Sequence, residues 1–229
     1  MAEYTDDGLL LRRIPFSETS LICHILTAGH GRITVMARGA RRPKSIFRAT
    51  LAPLYRLQLT WRPGRSGGMG TLIDVIRHEQ LVHETHMLDA LEVIAVTNTL
   101  FQDGDPHGYA ELHEAISLLD ARQADEGQCA ALWLLLERAG WLGDLFHCWH
   151  CGRQVVETDA MYWQSAHLLC GDCGNGVEVS AGLRKGMAGV IRQVNVHMSV
   201  QDRLRWRMMI TGVLREHGVK LPDSFRQQG

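Results

Sequence analysis

Apolar and polar positions alternate along the first third of the chain, which is the pattern of half-buried β-strands. The run 55–62 alternates without a break, with its tyrosine, leucines and tryptophan on one face. Four further β-rich runs lie at 9–14, 21–26, 32–38 and 71–76, and turn signals such as 63–68 separate them. Five short strands favour a small closed barrel, since closure leaves no strand edge exposed. We predict an OB-type barrel, with a small β-sandwich as the alternative.

After residue 79 the apolar period lengthens to between three and four, which predicts helices. In 79–102 the recurring apolar positions are Leu81, Leu88, Leu91, Ile94 and Ala95. Further helices are predicted over 106–122 with Pro106 in its first turn, over 128–146, over 181–195 with Ser180 as N-cap, and over 203–217 between Asp202 as N-cap and Gly218. The run 128–146 is apolar almost all round, so we expect that helix to be central.

The chain is therefore predicted to be α+β with three parts. An OB-like barrel covers 1–78, a helical domain covers 79–146 and 178–229, and a cysteine-bearing insert covers 147–177. The formal charge supports this division, being +7 over 1–78, −11 over 79–145 and +3 over 146–229. Such an asymmetry indicates modules with different binding partners.

The strongest local motif is a pair of Cys-x-x-Cys-Gly turns separated by 18 residues, Cys148–Cys151 and Cys170–Cys173. A two-residue gap lets both sulfurs of a turn face one ion, and the following glycine permits a tight turn. Two such turns predict a tetrahedral four-sulfur site that holds structural Zn²⁺, with iron as the alternative metal. His147 and His150 are close enough to compete as ligands. Cys23 and Cys129 are expected to be buried apolar residues.

The second signal is a stretch without acidic residues from Glu18 to Asp74. An ordinary solvated surface mixes both charge signs, so an excess of one sign favours a polyanion, with nucleic acid first. Phe47 is a candidate for base stacking or for anchoring the loop. Few aromatic residues accompany the bases, so binding should depend on phosphate contacts and on salt. The predicted DNA-binding residues are Arg32, Arg38, Arg41, Arg42, Lys44, Arg48, Arg56, Arg62 and Arg65.

No catalytic arrangement stands out, and we expect a protein that is not an enzyme. There is no phosphate-binding loop of the Gly-x4-Gly-Lys type and no serine, histidine and aspartate set that can be placed. A metal-dependent nuclease would need clustered acids, which the basic stretch lacks. A zinc-ribbon transcription regulator remains an alternative, with 203–207 as its weak recognition helix. No apolar run is long enough for a membrane span and the N-terminus is acidic, so we expect a cytoplasmic location.

Three motifs of the barrel together resemble the bacterial RecO family of recombination mediators. They are Arg-Arg-x-Pro-x-Ser-Glu-x-Ser at 12–20, Thr-x-x-x-Gly-Arg at 27–32 and Ala-Arg-Gly-Ala-Arg-Arg at 37–42. The resemblance spans essentially the whole chain, and the four cysteines match the zinc-bearing branch of the family.

The resemblance implies recombinational DNA repair and a nucleoid-associated location. It implies that the protein binds single- and double-stranded DNA, anneals complementary strands, and acts with RecR to load RecA. It also implies docking of the acidic, apolar C-terminal tail of single-stranded DNA-binding protein, which needs bases beside an apolar groove. The candidates for that site are Arg184, Lys185, Arg203, Arg205 and Arg207.

Overall fold

The computed structural model describes residues 2–65, 68–120 and 124–226. Parts of two predicted features, Ser66 and Gly67 of the 63–68 turn and the last two residues of the 106–122 helix, lie outside the described residues. The chain forms two compact units, Met1–Ile116 and Ser117–Gly229, which are described one at a time.

The first unit contains a closed five-stranded barrel, as predicted. Its strands are β1 (Tyr4–Phe16), β2 (Ser20–Thr27), β3 (Gly31–Ala37), β4 (Tyr55–Arg62) and β5 (Gly70–Gln80), with the order β1-β2-β3-β5-β4 around the barrel. A short helix, α1 (Ile46–Thr50), lies between β3 and β4 in the chain. Closure depends on β4 pairing antiparallel with β1 and on a short parallel pairing between β3 and β5. This closed order confirms the OB-like barrel and excludes the sandwich.

The barrel interior follows the predicted alternation. Leu57, Leu59 and Trp61 of β4 point into the core, where they pack with apolar side chains from all the other strands. Gly8 of β1 lies so close to this layer that an added Cβ would stand 2.6 Å from Leu59 Cδ1. A side chain at position 8 would therefore force the strands apart.

Two helices follow the barrel strands, α2 (Met87–Leu100) and α3 (Tyr109–Asp120). The predicted buried face of α2 is wrong in part, because Leu88 is 79% exposed and Leu91 and Ala95 also face solvent. The buried positions are Ala90, Val93, Ile94, Val96, Thr97 and Leu100. Most residues of α2 are apolar, so the spacing of its apolar residues in the sequence does not show which face of the helix is buried. Pro106 lies before α3 and not in its first turn.

The second unit is built around α4 (Ala124–Arg138), with α5 (Ala181–Ile191) and α6 (Val200–Glu216) packed against it. Between α4 and α5 lies a small antiparallel sheet in the order β7 (His167–Leu169), β6 (Met161–Gln164), β8 (Val177–Val179). The ring of Trp133 is fully buried, 6.1 Å from Trp163 and 6.4 Å from Trp206 between centroids. The central position predicted for α4 is confirmed, although α4 ends eight residues earlier than predicted.

The helix ends in this unit test the predicted caps. Ser180 caps α5, since its hydroxyl accepts a hydrogen bond from Leu183 N. Asp202 is not the cap of α6, because Ser199 occupies that position and accepts from Asp202 N. Gly218 follows the end of α6 with φ of +66°, the left-handed conformation expected there. Among the described residues, no helix combines the length and the apolar character that crossing a bilayer would require.

Candidate metal centre and nucleic-acid interface

The four cysteines of the two Cys-x-x-Cys turns meet at one point of the second unit. The sulfurs of Cys148, Cys151, Cys170 and Cys173 all lie within 4.8 Å of one another. The Cys151–Cys170 sulfur distance of 3.9 Å is too long for a disulfide. It matches a tetrahedron with metal–sulfur bonds of about 2.3 Å, whose edge is about 3.8 Å. The cluster therefore has the shape of a four-sulfur metal site.

The two turns are built alike. Gly152 N donates to Cys148 O at 2.8 Å, and Gly174 N donates to Cys170 O at 3.0 Å. Gly152 has φ of +70°, and at Gly174 an added Cβ would stand 2.7 Å from the side chain of Leu169. Each glycine is thus required by its turn, one for its backbone conformation and the other for the space available.

The environment lowers the pKa of two of the four thiols, whereas hydrogen bonds with the sulfurs of Cys170 and Cys151 raise the pKa of Cys173 to about 12. Burial acts to raise the pKa of Cys148, but hydrogen bonds from the backbone of Cys151, Cys170 and His150 outweigh it and lower that pKa to about 6. The pKa of Cys170 is also lowered, again against burial, by a backbone hydrogen bond from Asp172. Thiolate is the form that binds metal.

The histidines beside the turns do not join this cluster. His147 Nδ1 lies 2.6 Å from Asp144 Oδ2, and the metal-competent group found among the described residues consists of cysteines alone. Cys23 and Cys129 are buried as predicted, and burial raises the pKa of their thiols to about 11 and about 12. Neither is a reactive thiol at neutral pH.

In the first unit, the largest group of exposed bases begins directly after β3 and extends into α1. We call residues 38–48 the basic segment. Within the described part of the chain, no carboxylate forms an ion pair with any of its five bases, and all five are exposed. These bases are Arg38, Arg41, Arg42, Lys44 and Arg48.

The basic segment is held against the barrel by hydrogen bonds to backbone carbonyls. Arg41 N donates to Thr19 O and Arg41 Nη1 donates to Ser17 O at 2.8 Å, which ties the segment to the β1–β2 turn. Two arginines outside the predicted set hold α1, because Arg13 Nη1 donates to Leu51 O and Arg77 Nη1 donates to Ala49 O. Both are exposed and enlarge the basic surface. In the sequence both arginines lie outside the acid-free stretch, and the pairing of the strands is what brings them close to α1.

Phe47 is not a stacking residue, because only 9% of it is exposed and it packs in the barrel core. Its role is the anchoring one, which fixes the basic segment over the interior of the barrel. The exposed part of the segment thus offers positive charge and no aromatic ring.

Arg32 was also predicted to bind DNA, and in the structure its side chain already has partners within the protein. Its side chain is 9% exposed, and Nη1 donates to Asn98 O and Phe101 O at the C-terminal end of α2. Its Nε lies 2.9 Å from Asp103 Oδ1. Arg32 therefore caps a helix, and its charge is shared with the protein's own groups.

Two bases of β4 form ion pairs with acids that lie in the neighbouring strands or just before β1. Arg56 lies 2.7 Å from Glu79 of β5 and 3.2 Å from Asp7 of β1, and its hydrogen bond lowers the pKa of Glu79 to about 2. Arg62 lies 2.7 Å from Glu3. These residues add little net charge to the barrel surface. Arg65, just beyond β4, is exposed.

The five candidates for binding a partner's tail separate into two kinds. Arg184 is wholly buried, and its guanidinium donates to Leu145 O, Val156 O and Asp159 O. It fastens the start of the cysteine module to α5 and cannot meet a partner, so its assignment to a docking surface is wrong.

The other four candidates lie at or near the surface. Arg203 is paired with Glu126 at 3.1 Å, and Arg207 donates to Ser224 O. Lys185 and Arg205 are exposed. Arg205 lines an apolar cleft of about 190 Å³ whose other walls are Trp163, Val177, Glu178, Val179, Leu183, Met208 and Met209.

Comparison with known proteins matches both parts of the chain to one family. Residues 1–78 match the model for the N-terminal domain of recombination protein O, and residues 90–198 match the model for its C-terminal domain. The DNA repair protein RecO of Bifidobacterium longum strain DJO10A is 31% identical over 185 residues, which cover 74% of each chain. The chain belongs to the RecO family.

A second RecO, from Myxococcus xanthus, is 26% identical over 244 residues that cover 100% of this chain and 99% of that protein. The RecO of Thiobacillus denitrificans is 43% identical over 56 residues, 24% of this chain and 22% of its own. The chain is thus a DNA repair protein of the RecO family, and its four-cysteine cluster is consistent with the zinc-bearing branch.

Proposed function

We propose that this protein binds single-stranded DNA through the basic segment and anneals complementary strands. The observation that carries the proposal is the positive charge at 38–48, which has no acidic partner among the residues that the structure describes, on a closed OB-like barrel. OB barrels commonly bind single strands by combining a charged groove with the surfaces of strands and loops. In this proposal 1–78 is the DNA-binding domain, 79–146 with 178–229 is the helical domain, and 147–177 is the metal module.

Annealing requires no catalytic group. Two complementary strands repel each other through their phosphates, and bases that neutralise phosphate on both strands lower that repulsion. Base pairing then supplies the free energy. The five exposed bases of the basic segment, with Arg13 and Arg77 beside them, are suited to this role because they neutralise charge without reading a sequence.

Membership in the RecO family is the support for the further steps of recombinational repair that we propose. We infer that the protein acts with RecR in the cytoplasm, at the nucleoid, to load RecA onto DNA coated by single-stranded DNA-binding protein. The acidic, apolar tail of that coat protein needs a base beside an apolar groove. The cleft beside Arg205 supports this proposal, with Trp163, Leu183 and Met208 as apolar walls, and its lining also includes the acidic Glu178. Lys185 and Arg207 are secondary candidates, and Arg203 is held by Glu126.

We propose that the cysteine cluster holds Zn²⁺ in a structural role. The sulfur spacing fits a tetrahedral site, and soft thiolates select zinc or iron over hard ions. Cys148, Cys151, Cys170 and Cys173 would supply all four ligands, which leaves no position for a reactive water. The ion would fasten the two turns to each other, and its binding free energy would contribute to the folding of the module.

The test is a binding and annealing assay with oligonucleotides across a salt series. Five phosphate contacts would give a slope of about −3.5 in a plot of log affinity against log salt concentration. Binding without sequence preference, together with faster annealing of complementary strands, would support the proposal. If the protein binds neither single nor double strands, the basic segment serves another polyanion and the proposal is wrong.

A further inference from the structure

A cleft on the barrel has a volume of about 370 Å³ and is lined by residues of β3, by residues at the end of β4, at the start of β5 and at 63–64 and 68–69, and by the segment after α2. Its apolar walls include Ile33, Val35 and Trp61, and its polar groups include Arg32, Thr34 and Asp103. This volume lies within the range of small-ligand sites, roughly 300–1,000 Å³. The cleft therefore has room for about one nucleotide.

The polar groups of the cleft form a connected cluster around one carboxylate. Asp103 Oδ2 accepts a hydrogen bond from Thr34 Oγ1 at 2.6 Å, and Asp103 Oδ1 lies 2.9 Å from Arg32 Nε. His24 Nδ1 stands behind them, 3.0 Å from Thr34 Oγ1 and 3.2 Å from Arg32 Nη2. A guanidinium and a hydroxyl that converge on one anion are the donors that a phosphate oxygen would also use.

The carboxylate in this cluster is much more exposed than the cation that it contacts. The side chain of Asp103 is 53% exposed, whereas that of Arg32 is 9% exposed. Despite the short distance to Asp103, Arg32 Nε is a buried N–H without a well-directed hydrogen bond to any described group. The cation is thus fixed in the barrel by Nη1, which donates to two carbonyls, and by Nη2, which lies beside His24, whereas its anion is an exposed side chain.

We propose that the cleft is a phosphate subsite for single-stranded DNA, which Asp103 occupies until a phosphodiester displaces it. The proposal rests on the DNA binding proposed above and goes beyond it. A backbone phosphate binds Arg32 and Thr34 in place of the carboxylate, and the attached nucleoside lies against the apolar walls of the cleft. Asp103 competes because it presents the same charge to the same donors.

The experiment compares Asp103→Asn with Asp105→Asn. Asp105 is the matched control, since it lies two residues away and its carboxylate accepts from His107 N, outside the cluster. The affinity of each variant for an oligothymidylate is measured across a salt series, with unfolding midpoints to confirm the fold. We expect Asp103→Asn to bind about fivefold more tightly at low salt, with a slope steeper by about 0.7 for one added phosphate contact. Asp105→Asn should stay within about twofold of the wild type.

A second variant tests the donors. Adding Thr34→Val to Asp103→Asn removes the hydroxyl and should cancel most of the gain in affinity. If Asp103→Asn binds no more tightly than Asp105→Asn, the proposal of a phosphate subsite is wrong. Binding of the wild type through the basic segment would in that case leave the proposed function intact. If the wild type does not bind the oligonucleotide at all, the proposed function and the subsite are both wrong.

Discussion

The barrel carries two groups of bases that look alike in the sequence but differ in the structure, because only one of them is paired with acids. The basic segment 38–48 and the β4 bases Arg56 and Arg62 lie in the same acid-free stretch. In the structure the first group has no acidic partner among the described residues, and the second is paired with Asp7, Glu79 and Glu3. Only the first group presents net positive charge.

The difference arises from strand order. In the barrel β4 lies between β1 and β5. The acids that pair with Arg56 and Arg62 come from before Glu18 and after Asp74 in the sequence. The basic segment leaves the sheet after β3, and none of the described acids forms an ion pair with it. A run of one charge sign in a sequence is therefore a charged surface only where the fold adds no counter-charge.

The largest effect should come from replacing Arg41, Arg42 and Lys44 with alanine. Three lost phosphate contacts would make the salt slope shallower by about 2 and reduce single-strand affinity at least about tenfold near 0.1 M salt. The fold should survive, because the side chains are exposed and the hydrogen bond of Arg41 to Ser17 O contributes about 1 kcal/mol. Fluorescence anisotropy measures the affinity, and thermal unfolding checks the fold. Wild-type affinity with an unchanged slope would refute the assignment.

The sequence sufficed for features set by local pattern. The five strands follow from alternation over short runs, and the Ser180 cap and the two Cys-x-x-Cys turns follow from residue type at fixed spacing. Barrel closure could be expected because five short strands otherwise leave edges exposed. These features can be predicted without knowing which residues distant in the sequence are in contact.

The sequence did not suffice where the role of a side chain depends on a distant partner. Arg184 looks like a surface base on an amphipathic helix, yet three carbonyls that precede it in the chain by 25 to 39 residues hold it in the interior. Arg32 likewise caps a helix that ends 68 residues later. Leu88 is apolar but exposed, because α2 offers apolar residues on more than one side. Tertiary contacts decide all three cases.

A smaller effect on DNA binding is expected from Cys170→Ser, which extends the comparison to the metal module. The variant should lose its metal and expose the 147–177 module to proteolysis, since three thiolates no longer complete the site. Single-strand affinity should fall by less than in the triple variant, because the basic segment is separate in sequence. Metal analysis, limited proteolysis and anisotropy measure the three outcomes. A metal-free wild type that is fully folded would count against the zinc site.

The smallest effect should come from Arg56→Ala combined with Arg62→Ala, the matched control for the triple variant. Both bases are already paired with carboxylates, so their loss should change single-strand affinity by no more than about twofold. The structural consequence should appear at Glu79 instead. Without the hydrogen bond from Arg56, the pKa of the Glu79 carboxyl should rise from about 2 toward its ordinary 4.5, which NMR titration can follow.

The sign of the pH effect follows from that shift. A carboxyl with a lowered pKa in the folded state stabilises the protein above its ordinary pKa, and the contribution is lost as the pH falls through the folded value. The double variant should therefore lose stability relative to the wild type at neutral pH and approach it below about pH 2. If its DNA affinity falls as far as that of the triple variant, the ion pairs do not mask the β4 bases. The two groups of bases would then form one binding surface.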